Sequence, residues 1–216
     1  MSNVNERNHI VFVVDDDDSV RKSLVRLLKS VGYPARPYAS AQEFLDDWRH
    51  DPRPGCLVLD VQLPGLNGLA LQEQLRGSAF PIPIIFITGH GDIPMSVRAM
   101  KAGAVDFLAK PFQDEDLIRA VQEAIARHDQ HQAEHAEREA VAGRFAMLTP
   151  RERQVMALVV RGLPNKRIAT ELGTSEKTVK VHRGRVMEKM KVESIADLVR
   201  ASQKLEIGLE PPTQPQ

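Results

Sequence analysis

The sequence has almost no cysteine. Cys56 is the only one in 216 residues, so no intramolecular disulfide can form and nothing points to an oxidising compartment. Long apolar runs are also missing. No stretch approaches the roughly 18 residues a membrane-spanning helix needs, and the N-terminus is polar rather than signal-like. Net charge is zero, with 29 basic and 29 acidic side chains. What is present is 42% hydrophobic and 27% charged, the balance of an ordinary soluble globular protein expected in the cytoplasm. The length suits one large domain or two smaller ones.

The zero net charge conceals a division. Residues 1–147 hold 16 basic and 21 acidic side chains, a net of −5, whereas residues 148–216 hold 13 and 8, a net of +5. From Asn165 to Lys191 there are eight Lys/Arg against three Glu. Such asymmetry predicts different partners for the two halves, nucleic acid being the natural one for the basic half. The plainer reading is a solvated helix surface that happens to be basic.

The first half alternates short apolar strands with amphipathic helices. Strand signals fall at residues 11–14, 35–38, 56–59, 83–87 and 105–109. Helix patterns start near Ser19, with Gly32 as a stop, and recur at 41–48, 69–75, 94–102 and from Asp114 onward. This alternation predicts an α/β domain, a doubly wound five-stranded parallel sheet covered on both faces. Residues 126–147 lack strand signals and apolar periodicity, so they are expected to extend the last helix as a linker. His128, His131 and His135 lie there. A solvated helix accounts for them better than a metal site, because no third ligand is fixed beside the pair one turn apart.

From Leu148 every pattern is helical. Thr149-Pro150-Arg151-Glu152 reads as an N-cap, a proline at the first helical position and a capping-box glutamate. Asn165 is expected to cap a short helix, Ser175 or Thr174 a longer one and Ser194 a last one. The turn at residues 173–175 joins the middle two as a helix-turn-helix. Lys177, Lys180, Arg183 and Gly184 fall near one broad face of the longer helix, and Val179 and Val186 fit a buried one. The tail, residues 208–216, carries three prolines and no anchor and is expected to be disordered.

In a parallel sheet, binding groups gather at the carboxyl ends of the strands. Here the first strand runs into Asp15 and Asp16, the third into Asp60, the fourth delivers Thr88 and the fifth Lys110. Three carboxylates in one cleft repel, which a hard cation such as Mg²⁺ relieves. An Asp carboxylate can attack phosphorus, while lysine, threonine and the metal neutralise the phosphoryl oxygens. Helix capping would explain single aspartates but not this set.

These residues stand in Val13-Val14-Asp15-Asp16-Asp17, Leu59-Asp60, Ile87-Thr88-Gly89-His90-Gly91-Asp92, Met100-Lys101-Ala102-Gly103-Ala104-Val105-Asp106-Phe107 and Lys110-Pro111-Phe112. So arranged, the chain resembles two-component response regulators of the FixJ/NarL type, with a CheY-like receiver at residues 9–125. Residues 148–207 resemble the LuxR-type output domain, a four-helix helix-turn-helix unit, through Leu148-Thr149-Pro150-Arg151-Glu152, Gly162, Asn165-Lys166, Ile168-Ala169, Leu172-Gly173 and Thr178-Val179-Lys180-Val181-His182-Arg183.

The resemblance implies roles. Asp60 would accept a phosphoryl group from a sensor histidine kinase. Asp15, Asp16, Asp60 and the backbone carbonyl of Gln62 would hold Mg²⁺. Lys110 would pair with Asp60 and then with the phosphoryl group, across a Lys110–Pro111 bond that is usually cis. Thr88 would swing toward the phosphoryl group while Phe107 turns inward. Phosphorylation would favour a homodimer, Pro94, Met95, Val97 and Ala102 fitting a helix whose exposed part would pair while the sequence alone does not separate core from interface; promoter DNA would be bound, with activation expected, repression open, and RNA polymerase a further partner. Lys180 and Val181 would approach base edges, and Lys177, Arg183, Arg185 and Lys189 phosphates or the groove. Gly184 departs from the polar or basic residue usual one turn after Lys180. Enzymatic activity would be limited to self-phosphorylation and slow dephosphorylation at Asp60. Two alternatives remain open. An Asp-nucleophile phosphohydrolase needs a second carboxylate two residues past the nucleophile, where Gln62 stands. A phosphorylation-independent DNA-binding protein would carry a relic receiver.

Overall fold

The computed structural model describes residues 9–50, 54–76, 82–89 and 93–205. The tail expected to be disordered, and His90, Gly91 and Asp92 of the fourth-strand motif, lie outside them. The chain divides after residue 131 into two compact units.

In the first unit, β1 (Ile10–Val14), α1 (Asp18–Ser30), β2 (Ala35–Tyr38), α2 (Ala41–His50), β3 (Gly55–Asp60), α3 (Gly68–Leu75), β4 (Ile84–Thr88), α4 (Ile93–Lys101), β5 (Asp106–Ala109) and the first half of α5 (Asp114–Ala146), whose second half belongs to the second unit, follow in turn. The five strands form one parallel sheet in the order β2-β1-β3-β4-β5. The period-two alternation of the strands sends Phe12, Val14, Leu57, Leu59 and Phe86 to one face, against Phe44 and Trp48 of α2, Leu71 of α3 and Ala99 of α4. It sends Val11, Val13, Cys56, Val58, Ile85 and Ile87 to the other, against Leu24 and Leu28 of α1 and Leu117, Val121 and Ile125 of α5. This is the doubly wound α/β sheet the alternation predicts. Cys56 is wholly buried, and burial pushes its thiol up to about 12, so it is an inert core residue.

The helix α5 is continuous over 33 residues, so the stretch expected as a linker is indeed helical. The second unit adds α6 (Pro150–Val160), α7 (Asn165–Glu171), α8 (Glu176–Met190) and α9 (Ile195–Lys204). These pack around Val155, Met156, Ile168, Val179, Val186, Met190 and Leu198, with Val141 of α5 in the same core. Local chemistry sets their starts. Thr149 and Glu152 form a reciprocal capping box on α6, Ser175 caps α8, and Ser194 with Asp197 forms a second box on α9. The expectation for α7 is corrected. Its N-cap is Pro164, which offers no side-chain bond, and Asn165 is the first helical residue, its Oδ1 accepting from Arg183 instead.

Candidate functional site

The sheet register builds the first site. Val14 is paired with Leu59, so the residues that follow them, Asp15 and Asp60, leave neighbouring strands at the same level. Thr88 is paired with Ala109, which places Lys110 one step beyond β5. Its amide donates to the Thr88 carbonyl at 2.7 Å, and the Lys110–Pro111 bond is cis. The Lys110 ammonium then reaches across the strand ends, donating to Asp15 Oδ2 at 2.7 Å and Asp60 Oδ2 at 2.6 Å.

The structure sorts the run of four aspartates. Asp17 is the N-cap of α1 and accepts from the amides of Ser19 and Val20. Asp18 pairs with Arg21 and Lys22 on the helix surface. Asp15 turns inward and is fully buried, while Asp16 is exposed at the rim. Asp15, Asp16 and Asp60 offer oxygens all within 4.8 Å of one another, the one such group of metal donors among the described residues. An all-oxygen, three-carboxylate set is compatible with a hard divalent cation. The amide of Gln62 donates to Asp60 Oδ1 at 2.8 Å and that of Asp17 to Asp15 Oδ1 at 2.9 Å.

Charge in this cluster is unbalanced. Burial pushes the Asp15 carboxyl above its ordinary value, outweighing the Lys110 contact that lowers it. Burial works against the Lys110 ammonium too, but its two carboxylate partners prevail and hold it above the ordinary lysine value. Thr88 is fully buried at the end of β4, and Phe107 is half-buried on β5 with its ring 6.3 Å from that of Phe86.

Sequence reasoning missed Gly68. A Cβ there would lie 2.4 Å from the Asp60 carbonyl oxygen, so only glycine lets the start of α3 close on the strand end. The signal available was Asn67-Gly68, an N-cap followed by a residue without a side chain; Asn67 does cap α3. His128 was also misread. It is buried rather than solvated, edge-on to His9 with ring centroids 6.0 Å apart, and among the described residues neither ring nitrogen has a hydrogen-bond partner. His131 and His135 are exposed, as the solvated reading expects.

In the second unit, Lys177, Lys180, Val181 and Arg185 of α8 are exposed. The other two candidates are placed differently. Arg183 falls in line with the buried Val179, Val186 and Met190 at i, i+4, i+7 and i+11; it is half-buried and bonded to Asn165. Lys189 is bonded to the buried Glu152 at 2.6 Å and to the Met147 carbonyl at 3.3 Å. The expected single face thus splits into an outward row and a set of inward anchors. Among the described residues no helix is long and apolar enough to cross a membrane.

Known proteins share both units. Residues 11–122 match the response regulator receiver domain family, and residues 146–202 match the bacterial regulatory proteins of the luxR family. Nodulation protein W of Bradyrhizobium diazoefficiens is 52% identical over 199 residues, covering 92% of this chain and 87% of its own. The transcriptional regulatory protein FixJ of Azorhizobium caulinodans is 46% identical over 190 residues, covering 88% and 90%. The solved response regulator StyR is 47% identical, covers 91% of this chain and 99% of its own, and superposes with a TM-score of 0.78. With a carboxylate cluster at the strand ends of one unit and a basic helix-turn-helix in the unit that follows it in sequence, the chain belongs to the FixJ/NarL family of two-component response regulators.

Proposed function

We propose that the chain is a cytoplasmic transcriptional regulator whose DNA binding is controlled by phosphorylation of Asp60. The observation that carries this is the Lys110 ammonium held between Asp15 and Asp60 at the strand ends. One Asp60 carboxylate oxygen attacks the phosphorus of a phosphohistidine on a sensor histidine kinase. The oxygen–phosphorus bond forms, the phosphorus–nitrogen bond breaks, and the imidazole departs with the electron pair. Asp15, Asp16, Asp60 and the Gln62 carbonyl would hold Mg²⁺, which supplies charge neutralisation at the phosphoryl oxygens. Lys110 exchanges Asp60 for a phosphoryl oxygen, and the Thr88 hydroxyl donates to another.

The added charge of about −2 changes the balance at strand ends that already carry surplus negative charge. Thr88 and Phe107 lie on the adjacent strands β4 and β5, and α4 exposes Ile93 at 80%, Val97 at 44% and Met100 at 44%, spaced i, i+4, i+7. That apolar row suits a homodimer contact formed on phosphorylation. Two copies of α8 then meet two half-sites of promoter DNA, its exposed cations neutralising phosphates. Activation through RNA polymerase is the expected outcome. Asp60 is an acceptor with slow self-hydrolysis, not the nucleophile of a turnover enzyme, since Gln62 offers no second carboxylate.

Intact mass after incubation with acetyl phosphate and Mg²⁺ tests the reading. A gain of about 80 Da on the wild type and none on Asp60→Asn is expected. No adduct on the wild type, with no change on adding beryllofluoride, would leave a DNA-binding protein with a relic receiver.

A further inference from the structure

The receiver unit holds α5 along one row of side chains. Leu117, Val121, Ala124 and Ile125 are buried in the core they share with the sheet. His128 continues the row one turn on and is 4% exposed. Beyond it no residue of α5 is buried until Val141, which packs in the core of the second unit. His128 is therefore the last buried hold of the receiver unit on α5, just ahead of the division after residue 131.

A histidine is an odd choice for that hold. Leucine would finish the apolar row and bury no polar atom. A neutral imidazole carries one N–H and one lone pair, and both call for a partner when buried. Neither ring nitrogen of His128 has one, and among the described residues it is the one side chain whose nitrogen and oxygen atoms are all buried and unpartnered. The nearest ring is that of His9, edge-on, in the segment leading into β1. His9 is itself buried, and its Nε2 lies 2.6 Å from Asp129 Oδ1, so the carboxylate beside His128 in the chain is engaged by His9. The titratable groups that act on the His128 ring are His9, across this contact, and Asp129 and His131 on α5 itself; of these only Asp129 favours a proton. A proton added to the buried ring makes both nitrogens donors and puts a charge where no acceptor stands.

We propose that His128 is a proton-operated latch between α5 and the receiver core. Neutral, the ring stays buried and fastens the helix. Protonated, it leaves, and residues 124–131 separate from the receiver unit while the sheet stays folded. Burial, then the neighbouring His9, keeps the imidazole below its ordinary value of 6.5, so the latch is closed near neutrality and opens in acid. Because α5 runs unbroken into the second unit, acidity becomes an input to the helix that joins the two units, separate from the chemistry at Asp60.

Hydrogen exchange of the full chain, read by mass spectrometry at about pH 7.5 and 5.5 and corrected for the intrinsic rate, tests the latch. In the wild type the amides of residues 124–131 should exchange at least about tenfold faster in acid, while those of β4 keep their protection. His128→Leu should keep residues 124–131 protected at both pH values, and His128→Met replaces it should the leucine variant fail to fold. In the wild type itself the His128 ring resonances should titrate below 6.5, over the same range in which those amides lose protection. Equal acid loss in wild type and variant would overturn the inference. So would protection that does not change with pH, loss that extends across β4, or a ring that titrates at or above 6.5. None of these outcomes depends on phosphorylation of Asp60, so the regulatory reading stands or falls apart from them.

Discussion

Each unit of this protein buries a carboxylate against a lysine, and the two pairs behave oppositely. In the output unit, Glu152 is 2% exposed, bonded to Lys189 at 2.6 Å, and accepts from the Thr149 amide at 2.9 Å. Lys189 first, then that amide, draws the Glu152 carboxyl down to about 2. In the receiver unit, Asp15 is equally close to Lys110, yet its carboxyl lies above its ordinary value. The difference is chiefly depth: at Asp15 burial outweighs the Lys110 contact and the Asp60 charge adds least, whereas at Glu152 the Lys189 and Thr149 bonds outweigh burial. Lys110 divides its charge between Asp15 and Asp60, with Asp16 nearby, whereas Lys189 serves Glu152 alone. Where one cation meets one anion the charge supports the fold. Where burial outweighs the ion pair, the ionised carboxylate opposes the fold.

The comparison is sharpened by substitution on each side. The largest effect is expected from Glu152→Gln, which leaves Lys189 without its anion and weakens the capping box. It should destabilise the output unit by about 2 kcal/mol, a value discounted for the partial exposure of Lys189. Because the folded carboxyl is depressed, its stabilisation is present above the ordinary value of 4.5 and fades as pH falls from there toward about 2. Acid unfolding of the output unit, followed by hydrogen exchange at Val155 and Val186, should flatten in the variant. Unchanged stability would remove the contrast between the two pairs.

Asp15→Asn should act in the opposite direction. A raised carboxyl means the ionised form opposes folding above its ordinary value of 3.8, so the neutral amide should raise the thermal midpoint of the receiver unit. The same variant should lose Mg²⁺ affinity and slow phosphoryl uptake at least about tenfold. A gain in stability with full uptake would show that Asp15 is not part of the site.

A smaller effect belongs to His128. Burial first, then the nearby His9, pushes its imidazole below the ordinary value of 6.5, with Asp129 opposing and His131 adding to the shift. A histidine kept neutral in the fold contributes stability that is present above about pH 6.5 and is lost as pH falls below it. The receiver unit should lose stability as pH falls from about 7.5 to 5.5, and His128→Leu should remove most of that slope. A slope that survives the substitution would move the cause elsewhere.

The sheet was legible in the sequence because each strand is a short apolar run ending in polar residues, and a parallel sheet brings those ends together whatever their distance in the chain. The carboxylate site followed from that geometry. Helix starts in the output unit were legible wherever a Ser or Thr stood three residues before an acid, as at Thr149 and Ser194. Asn165 was not, because its side chain had two uses, capping its own helix or holding Arg183, and only the packing of α7 on α8 decides between them. Lys189 was counted with the DNA-facing cations for a similar reason. Its charge is visible in the sequence, but its partner Glu152 lies 37 residues away on another helix. His128 looked solvated because its neighbours along the chain are polar, while the ring packed edge-on against it is that of His9, about 120 residues earlier in the chain.

The proposal that matters most is control of DNA binding by phosphorylation of Asp60. Its most direct test is fluorescence anisotropy of the full chain titrated into a selected duplex, with and without acetyl phosphate and Mg²⁺, for wild type and Asp60→Asn. The account predicts that the phosphodonor tightens wild-type binding at least about tenfold and leaves Asp60→Asn unchanged. Equal binding in all four conditions would contradict it.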